Sequence, residues 1–524
     1  MSGGRFNASE YLLDRRLDAG DADRLALTGV GGELTYVALH DLVERTAAGL
    51  RRLGLLPEQR IVLFMADGPE FAAVYLGALR MGAIPVPVST MLRADGLSEL
   101  LVDSRARLLA VSAEFAGVAA TAVTAAPELA GVVAGAGTSL DAAVAVHRLA
   151  AVQDADPGEG GAYPSGEDGP AFWLYTSGTT GRPKGAMHRH GAVREVCETY
   201  GRQVLGIRAD DRCLSAAKAF FAYGLGNSLL FPLSVGAAAV LEPSPSRPET
   251  MARRACEHGA TLFFAGPTFF ANMLKAQLPA GALGGVRLAA SAGEALPAAL
   301  YRRWTEHFGV DILDGIGMTE MLHIFLSNRP GAVRPGTTGV AVPGYDLRIV
   351  DDDNRDVADG TPGTLLVRGR SAATGYWCRY DASRLVFQGD WLRTGDTYLR
   401  DPDGYYRCLG RTNDVLKASG MWVAPGEVEE RLMAHPAVAQ AVVVGAADAE
   451  GLEKPVAFVI LREGAAATEE DLVAFCREAL PSFERPRRVV FVSEYPTTAT
   501  GKVRRVELRA QAASALTAVA APRP

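Results

Sequence analysis

The sequence predicts an α/β fold with a large N-terminal domain of helix-covered, mostly parallel sheets, a small β subdomain and a small α+β C-terminal domain. Three observations lead to this prediction. The chain has 524 residues, too many for one compact core. Strand and helix patterns alternate through its first part, which favours parallel sheets. From about Tyr345 short strands joined by turns take over, and a compact mixed segment follows Gly410.

The alternation starts near the N-terminus. Residues 36–54 carry apolar side chains at helical spacing, and residues 60–66 (RIVLFMA) are typical of a buried strand. A second helix pattern over residues 69–82 leads into the strand pattern AIPVPVS. Residues 260–278 and 286–309 each repeat the order of strand, glycine-containing turn and helix. We therefore expect these strands to join a largely parallel sheet covered by helices.

The later part of the chain has a different pattern. Residues 152–170 are acidic and rich in glycine and proline, which predicts a surface connection. Residues 346–410 read as turn-linked strands of an antiparallel β subdomain. Strands AQAVVVGAA and KPVAFVIL and the helix TEEDLVAFCREAL make up the final segment. We expect the low-complexity tail after Arg509 to fray.

Composition argues against several classes of protein. The net charge of -7 is opposite to that of a general nucleic-acid binder. The six cysteines are scattered without a C-x-x-C pair, which favours reduced thiols over a zinc site or a disulfide framework. The first residues lack the pattern of a secretory signal, and the most membrane-like stretch (115–127) is shorter than the about 20 residues of a spanning helix. We expect a cytoplasmic protein that does not enter a membrane.

The stretch YTSGTTGRPKG at residues 175–185 has the composition of a phosphate-binding loop. It is not the nucleotide-binding P-loop, because Lys184 follows a proline and precedes a glycine. The hydroxyl side chains and the backbone N–H groups beside the glycines could surround a polyphosphate, and Lys184 adds a cation. A strand pattern, PAFWLY, precedes the loop, and a helix pattern, AVREVCETYGRQVL, follows it.

With this loop the chain resembles the adenylate-forming superfamily of acyl-CoA ligases, peptide-synthetase adenylation domains and luciferases. The motifs SAGE (291–294), DGIGMTE (314–320), TGD (394–396), GRTNDVLKASG (410–420) and PTTATGK (496–502) follow in the family's order. The resemblance implies an adenylation domain over residues 1–410, which binds acid and ATP, and a mobile domain over 411–524. It also implies ATP, Mg²⁺ and coenzyme A as cosubstrates or cofactors.

The resemblance assigns roles to the motif residues. Thr319 would bind phosphate, Glu320 would hold Mg²⁺, and Asp396 would accept the ribose hydroxyls. The implied ATP and AMP site comprises Thr176, Ser177, Gly178, Thr179, Thr180, Lys184, Ala292, Gly293, Glu294, Asp314, Gly315, Ile316, Gly317, Met318, Asp396 and Arg411. Lys502 would be the catalytic cation that approaches the acid carboxylate and the α-phosphate, together with Thr319 and Glu320.

In this family the C-terminal domain rotates between adenylation and thioester formation. The hinge position, commonly aspartate or lysine, is Asn413 in this sequence. The rotation would bring a second face to the acyl-adenylate, where the pantetheine arm would meet Lys417, Ser419, Gly420 and Trp422.

Two stretches, KAFFAYGLGNSLLFPL and GMTEMLHIFLSN, resemble the benzoate-type aryl-CoA ligases in particular. The implied acid pocket is lined by Phe221, Ala222, Tyr223, Gly317, His323 and Ile324. Two aromatic rings beside two small residues suit a flat ring. The longer side chain of Met318 could narrow one edge, and His323 or Tyr223 could meet an ortho or meta hydroxyl. The nearest upstream acids, Asp210 and Asp211, lie in an earlier loop and are poor candidates for binding an amino-acid ammonium.

The favoured function is therefore an ATP-dependent CoA ligase for benzoate or a hydroxybenzoate such as salicylate. A stand-alone aryl-acid adenylating enzyme that loads a carrier-protein thiol is an alternative, because both acceptors present pantetheine. A luciferase-like oxygenase and a non-catalytic nucleotide-binding relative are further alternatives, although the presence of Glu320, Asp396, Arg411 and Lys502 argues against the last. We expect a monomer or a homodimer.

Overall fold

The protein is represented by a computed structural model that describes residues 4–158, 161–177, 182–412, 416–418, 421–447, 453–497 and 503–517. Its backbone contacts divide the chain into two units. The first contains Met1–Asp346 and Val367–Leu392, and the second contains Leu347–Leu366 and Arg393–Pro524. The sequence suggests a border at residue 410 between a fixed and a mobile domain. The structure does not test a movement, so this border stays a prediction.

The first unit is built on short strands separated by helices. Its strands are β1 (Leu25–Gly29), β2 (Leu34–Thr35), β3 (Arg60–Phe64), β4 (Ile84–Pro87), β5 (Leu108–Val111), β6 (Gly131–Ala134), β7 (Ala145–Arg148), β8 (Pro170–Ser177), β9 (Pro183–Arg189), β10 (Arg212–Ser215), β11 (Ala238–Leu241), β12 (Leu262–Ala265), β13 (Leu288–Ser291), β14 (Ile312–Gly317), β15 (Ile324–Ser327) and β16 (Val340–Ala341).

Helices connect most of these strands. They are α1 (Ala8–Leu12), α2 (Asp14–Asp18), α3 (Tyr36–Arg52), α4 (Pro69–Arg80), α5 (Ala94–Ser104), α6 (Ala116–Ala122), α7 (Leu149–Gln153), α8 (His190–Val196), α9 (Ala222–Leu225), α10 (Phe231–Val235), α11 (Pro248–Glu257), α12 (Pro267–Lys275), α13 (Ala298–Phe308) and α14 (Tyr380–Val386). A π-helical segment, Cys197–Val204, continues α8, and another, Gly226–Leu230, joins α9 to α10.

Two sheets of the first unit confirm the predicted parallel α/β class. The larger has the order β16-β15-β14-β13-β12-β10-β11-β1-β2, and its six central strands from β14 to β1 are parallel. The smaller, β4-β3-β5-β6-β7, is parallel throughout. Buried aromatic and aliphatic side chains of α11–α13, including Phe270 and Trp304, pack on the larger sheet. The carboxyl ends of its parallel strands therefore share one edge, where α/β proteins bind ligands.

The chain around YTSGTTGRPKG differs from the sequence prediction. Residues that were expected to lead from the loop directly into a helix form strand β9, which pairs with β8 in an antiparallel hairpin. The short alternating run PKGAMHR, which places Ala186 and His188 in the interior, is the local reason. The phosphate-loop motif is therefore the connection of a β-hairpin.

The later part of the chain is organised around two small sheets. The first has the order β17-β18-β20-β19 with β21 beside β20, and the second is β24-β25-β26. The strands are β17 (Asp346–Val350), β18 (Gly363–Arg368), β19 (Phe387–Gln388), β20 (Trp391–Arg400), β21 (Tyr406–Arg411), β22 (Leu416–Ala418), β23 (Met421–Val423), β24 (Val438–Ala447), β25 (Glu453–Leu461) and β26 (Arg488–Phe491).

Helices α15 (Pro425–Met433), α16 (Glu469–Arg477) and α17 (Arg505–Thr517) complete this part. Thr468 and Asp471 form a reciprocal capping box that starts α16. The expectation that the tail frays after Arg509 is wrong as far as Thr517, because Leu508 and Ala512 of α17 are buried against apolar residues of β24 and β25.

Candidate active site

The hairpin β8–β9 positions the cation of the phosphate-loop motif. Lys184 lies opposite Thr176 in the hairpin register. Its Nζ is 5.5 Å from the ring centre of Tyr376, on the face of the ring. Of the other predicted loop residues, Gly178, Thr179 and Thr180 lie outside the described residues, as does the side chain of Ser177.

A carboxylate lies at the hydroxyl of the same tyrosine. The hydroxyl of Tyr376 donates a hydrogen bond to Oε1 of Glu320, which is 7% exposed. Burial and the negative Glu320 raise the pKa of Tyr376, so that its hydroxyl remains a donor. The backbone of Tyr376 pairs with Ala186 of β9. Tyr376 thus brings Lys184 and Glu320 together, and the sequence motifs did not reveal it.

A buried histidine ties the hairpin to the predicted catalytic turn. His188 stacks on Phe172 with ring centres 5.0 Å apart, and burial lowers its pKa to about 4. The neutral ring donates from Nε2 to the carbonyl oxygen of Thr319 at 2.9 Å. Because this bond joins a buried side chain of β9 to the Thr319 backbone, the position of β9 is coupled to the Thr319–Glu320 segment. His188 was also missed, although its inward place in PKGAMHR is a signal that could have indicated it.

The predicted adenine segment and the DGIG strand are neighbours. Ser291 of β13 lies opposite Asp314 of β14 in a parallel register. Ala292, Gly293 and Glu294 follow at the end of β13; Gly293 has a φ of +96°, and Glu294 accepts a bond from Thr268 at 3.0 Å. Burial raises the pKa of Asp314 to about 8, although the Leu296 N–H opposes the shift. Asp314 is therefore mostly a neutral acid at pH 7.

The second half of β14 lies tightly against β15. Gly317 pairs with Ile324, and a Cβ on Gly317 would lie 2.5 Å from the carbonyl oxygen of His323. A Cβ on Gly315 would lie 2.9 Å from Cγ2 of Ile324. Glycine is therefore required at both positions for this close approach. Ile316 and Met318 are partly exposed at the same strand end.

His323 is the centre of an aromatic cluster in the predicted acid pocket. Its ring centre is 4.5 Å from that of Phe231, 5.3 Å from Tyr200 and 5.4 Å from Tyr223. Burial lowers the pKa of His323 to about 3, so the ring is neutral. Its Nε2 is 3.3 Å from the Tyr223 carbonyl oxygen, and its buried Nδ1 has no hydrogen-bond partner among the described residues.

The other pocket residues differ in how closely they join this cluster. The Tyr223 hydroxyl donates to the Ala290 carbonyl at 2.8 Å, which fixes the ring against β13. Ala222 begins α9 beside it. The Phe221 ring lies on Phe220, with centres 4.5 Å apart, and is 37% exposed. Asp211, in contrast, forms an ion pair with Arg287 at 2.7 Å. Its charge is therefore already neutralised, and it is not a candidate to bind a substrate ammonium group.

The second unit holds two further predicted residues. Asp396 and Arg411 face each other on β20 and β21, with Nε and Oδ1 3.2 Å apart. Arg411 also donates to the Thr394 carbonyl at 3.2 Å, while its side chain stays 61% exposed. The pair thus presents donors and acceptors on one small sheet.

Several predicted residues or their side chains lie outside the described part of the chain. Lys502, Asn413, Ser419 and Gly420 lie outside the described residues, and so do the side chains of Lys417 and Trp422, whose backbones pair across β22 and β23. Thr497 and Val503, which flank the Lys502 segment, form an isolated bridge. Their predicted roles remain predictions.

The described residues limit which groups the protein could hold. Within them, no group of three or more His, Cys, Asp and Glu side chains is arranged to bind a metal ion. A metal at Glu320 would therefore need ligand oxygens from a bound phosphate. None of the helices in the described part of the chain combines the length and the apolar character needed to cross a membrane.

Comparisons with known proteins identify the family of this chain. The family model of AMP-binding enzymes matches residues 14–377, and that of the AMP-binding enzyme C-terminal domain matches residues 427–502. Benzoate–CoA ligase of Thauera aromatica is 43% identical, covering 96% of both chains. 4-hydroxybenzoate–CoA/benzoate–CoA ligase of Rhodopseudomonas palustris is 41% identical, covering 96% of this chain and 94% of that protein. The anthranilate CoA ligase AuaEII in complex with anthranoyl-AMP superposes with a TM-score of 0.91 at 37% identity, covering 98% of each chain.

Proposed function

This chain belongs to the family of AMP-binding enzymes, and we propose that within it the protein ligates benzoate or a hydroxybenzoate to coenzyme A. It is an aryl-acid CoA ligase of the AMP-forming class, because full-length relatives at 36–43% identity carry that activity. Its substrates are an aromatic acid, ATP and CoA. The ring substituents that it prefers, and the roles of its residues, are the finer part of the proposal.

The reaction has two steps. An oxygen of the aryl carboxylate attacks the α-phosphorus of ATP, the bond to the bridging oxygen breaks, and pyrophosphate leaves with that electron pair. The thiol of CoA then loses its proton and attacks the acyl carbon, and AMP leaves. The first step joins two anions, so its transition state needs cations. Lys184 is suited to the leaving pyrophosphate, and Lys502 is proposed for the α-phosphate.

Glu320 is suited to hold Mg²⁺ together with phosphate oxygens. The side chain is a single, nearly buried carboxylate whose one oxygen is already oriented by Tyr376. Mg²⁺ in nucleotide sites is commonly held by one or two carboxylates plus phosphates, which fits this arrangement. When bound, the ion would neutralise phosphate charge. Tyr376 and the His188–Thr319 bond would keep Glu320 in position.

The single observation that carries the substrate proposal is the His323 cluster beside Gly317. The rings of Tyr223 and Tyr200 surround His323 beside the closely packed glycine strand, and a planar aromatic acid is the substrate that such rings suit. Because Nε2 faces the Tyr223 carbonyl, the neutral His323 offers Nδ1 as an acceptor. A ring hydroxyl that donates to it would be recognised strongly, since an analogue without the donor leaves a buried acceptor unpaired.

A substrate panel tests the proposal. Benzoate, the three hydroxybenzoates, cinnamate, fatty acids and amino acids would each be assayed for pyrophosphate exchange into ATP and for CoA-dependent AMP release. We expect benzoate and at least one hydroxybenzoate to lead. His323→Phe keeps a ring but removes the acceptor, so it should lower the preference for that hydroxybenzoate over benzoate about tenfold or more. His307→Phe, a surface histidine on α13, is the matched control. A lead by fatty acids or amino acids would contradict the proposal.

A further inference from the structure

We propose that Asp67 is a positioning residue for the aryl-acid site, acting through the backbone of Ala219 at the start of the pocket loop. This inference rests on the proposed function. The pocket loop is residues 218–225, which carry Phe221, Ala222 and Tyr223. Asp67 comes from a distant part of the chain, between β3 of the smaller parallel sheet and α4.

The contact is a buried carboxylate clamp. Both oxygens of Asp67 accept from the Ala219 N–H, each at 3.2 Å, and the residue is 5% exposed. Burial raises the pKa of Asp67 to about 6, while Lys218 and the Ala219 N–H oppose the shift, so the carboxylate is mostly ionised at neutral pH. A charge-assisted bond of this kind, shielded from water, holds its donor more firmly than a neutral one.

The side chain of Lys218, the residue before Ala219, is also held by hydrogen bonds. Nζ of Lys218 donates to the carbonyl oxygens of Glu242 at 2.5 Å and Ser244 at 2.6 Å. A Cβ on Gly224 would lie 2.0 Å from the Lys218 carbonyl oxygen, so the loop folds back on this residue. With Lys218 and Ala219 both anchored, the following aromatic residues have little freedom.

The clamp connects to the ring pocket through short steps. The Phe221 N–H donates to the Lys218 carbonyl at 3.0 Å, and the Tyr223 ring lies against His323. None of these contacts requires Asp67 to touch a substrate. Its effect would be to order the pocket before the acid arrives, which lowers the cost of binding. Loss of the clamp should therefore weaken binding of the acid more than binding of ATP.

Amide hydrogen exchange and steady-state kinetics test the inference together. In wild type, the Ala219 amide should be strongly protected, and Asp67→Asn should make it exchange at least about tenfold faster. The same variant should raise KM for the aryl acid about tenfold, with KM for ATP within about twofold. Asp211→Asn is the matched control, since Asp211 is also a buried carboxylate bound to backbone N–H but lies at the opposite end of β10.

Each outcome decides a separate question. Unchanged exchange at Ala219 in Asp67→Asn, or equal rises in KM for acid and ATP, overturns the clamp. Rapid exchange in wild type overturns it even when the variant fails to fold. Equal effects of Asp211→Asn show a general loss of stability instead. A wild-type protein that activates no aryl acid overturns the proposed function, whereas the exchange measurement still decides whether Asp67 orders the loop.

Discussion

Replacing Gly317 by alanine tests the tight strand contact at the proposed ring pocket. The new Cβ would lie 2.5 Å from the His323 carbonyl oxygen, 2.7 Å from its carbonyl carbon and 2.9 Å from the Ile324 nitrogen. Ordinary contact begins at 3.4 Å, so the methyl is about 0.9 Å too close to the oxygen (3.4 − 2.5). These atoms belong to the backbone of a paired strand and cannot rotate away.

The magnitude follows from that displacement. Forcing an extra methyl into a packed site costs about 1–3 kcal/mol of unfolding free energy. A shift of about 1 Å in groups that position a substrate costs on the order of 100-fold in rate. Because His323 and Ile324 move with their backbone, we expect kcat/KM for the aryl acid to fall on the order of 100-fold. The loss should be larger than the fall in stability alone would produce at a temperature where the variant stays folded.

The assay is pyrophosphate exchange at varied acid and saturating ATP, accompanied by urea unfolding. Gly285→Ala is the control, because a Cβ on that exposed glycine meets no atom within 4 Å. The control should retain wild-type kinetics and stability. If Gly317→Ala keeps kcat/KM for the acid within about twofold of wild type, the strand contact does not define the pocket and the reasoning fails.

Three further substitutions test residues in and beside the proposed nucleotide site. Lys502→Ala should cut acyl-adenylate formation severely while leaving thioester formation from supplied acyl-adenylate largely intact, and equal losses in both half-reactions would refute that role. Tyr376→Phe removes the donor that orients Glu320, so about tenfold more Mg²⁺ should be needed for half-maximal pyrophosphate exchange; an unchanged Mg²⁺ titration would argue against it. The pKa of Asp314 is raised to about 8 in the folded state. Between about pH 4 and 8 the folded state therefore holds a proton that the unfolded state has already released. Its contribution to stability is thus full below about pH 4 and lost as pH rises toward 8, and Asp314→Asn should gain on wild type by up to about 1.4 kcal/mol per pH unit across that window in urea unfolding at several pH values; parallel pH profiles would contradict the assignment.

Sequence patterns predicted the fold class well because burial on both sides of a parallel strand leaves short apolar runs such as RIVLF and LFFA. They predicted β9 poorly, since PKGAMHR mixes a proline, a lysine and a glycine into a strand that is only partly buried. The end of α17 was also missed, because alanine-rich sequence has little apolar pattern while Ala512 is buried by tertiary contact. Local sequence thus indicates strands that are buried on both faces better than elements whose burial depends on distant partners.

The site residues likewise divide into those that local sequence indicates and those that depend on distant partners. Glu320 and Lys184 stand in contiguous motifs, so their chemistry could be inferred from neighbours in the chain. Tyr376, which lies between them in space, is 56 residues from Glu320 along the chain. Asp67 is 152 residues from the amide that it binds. Supporting contacts of this kind depend on how distant elements meet, and one sequence does not record which elements those are.

The turn after β14 places the two halves of the proposed chemistry only three residues apart. Glu320 points to Tyr376 and the hairpin, whereas His323 points to Tyr223 and the aromatic cluster. The turn is held by backbone bonds from Met321 to Met318 and from Leu322 to Thr319, and Leu322 has a φ of +65°. A non-glycine residue in this region persists only where its surroundings enforce it. A change that relaxed the turn would therefore move Glu320, proposed to hold Mg²⁺, and His323, proposed to meet the substrate ring, together. Substitutions at Leu322 should accordingly alter the Mg²⁺ requirement and the acid KM in parallel, unlike those at Tyr376 or Asp67.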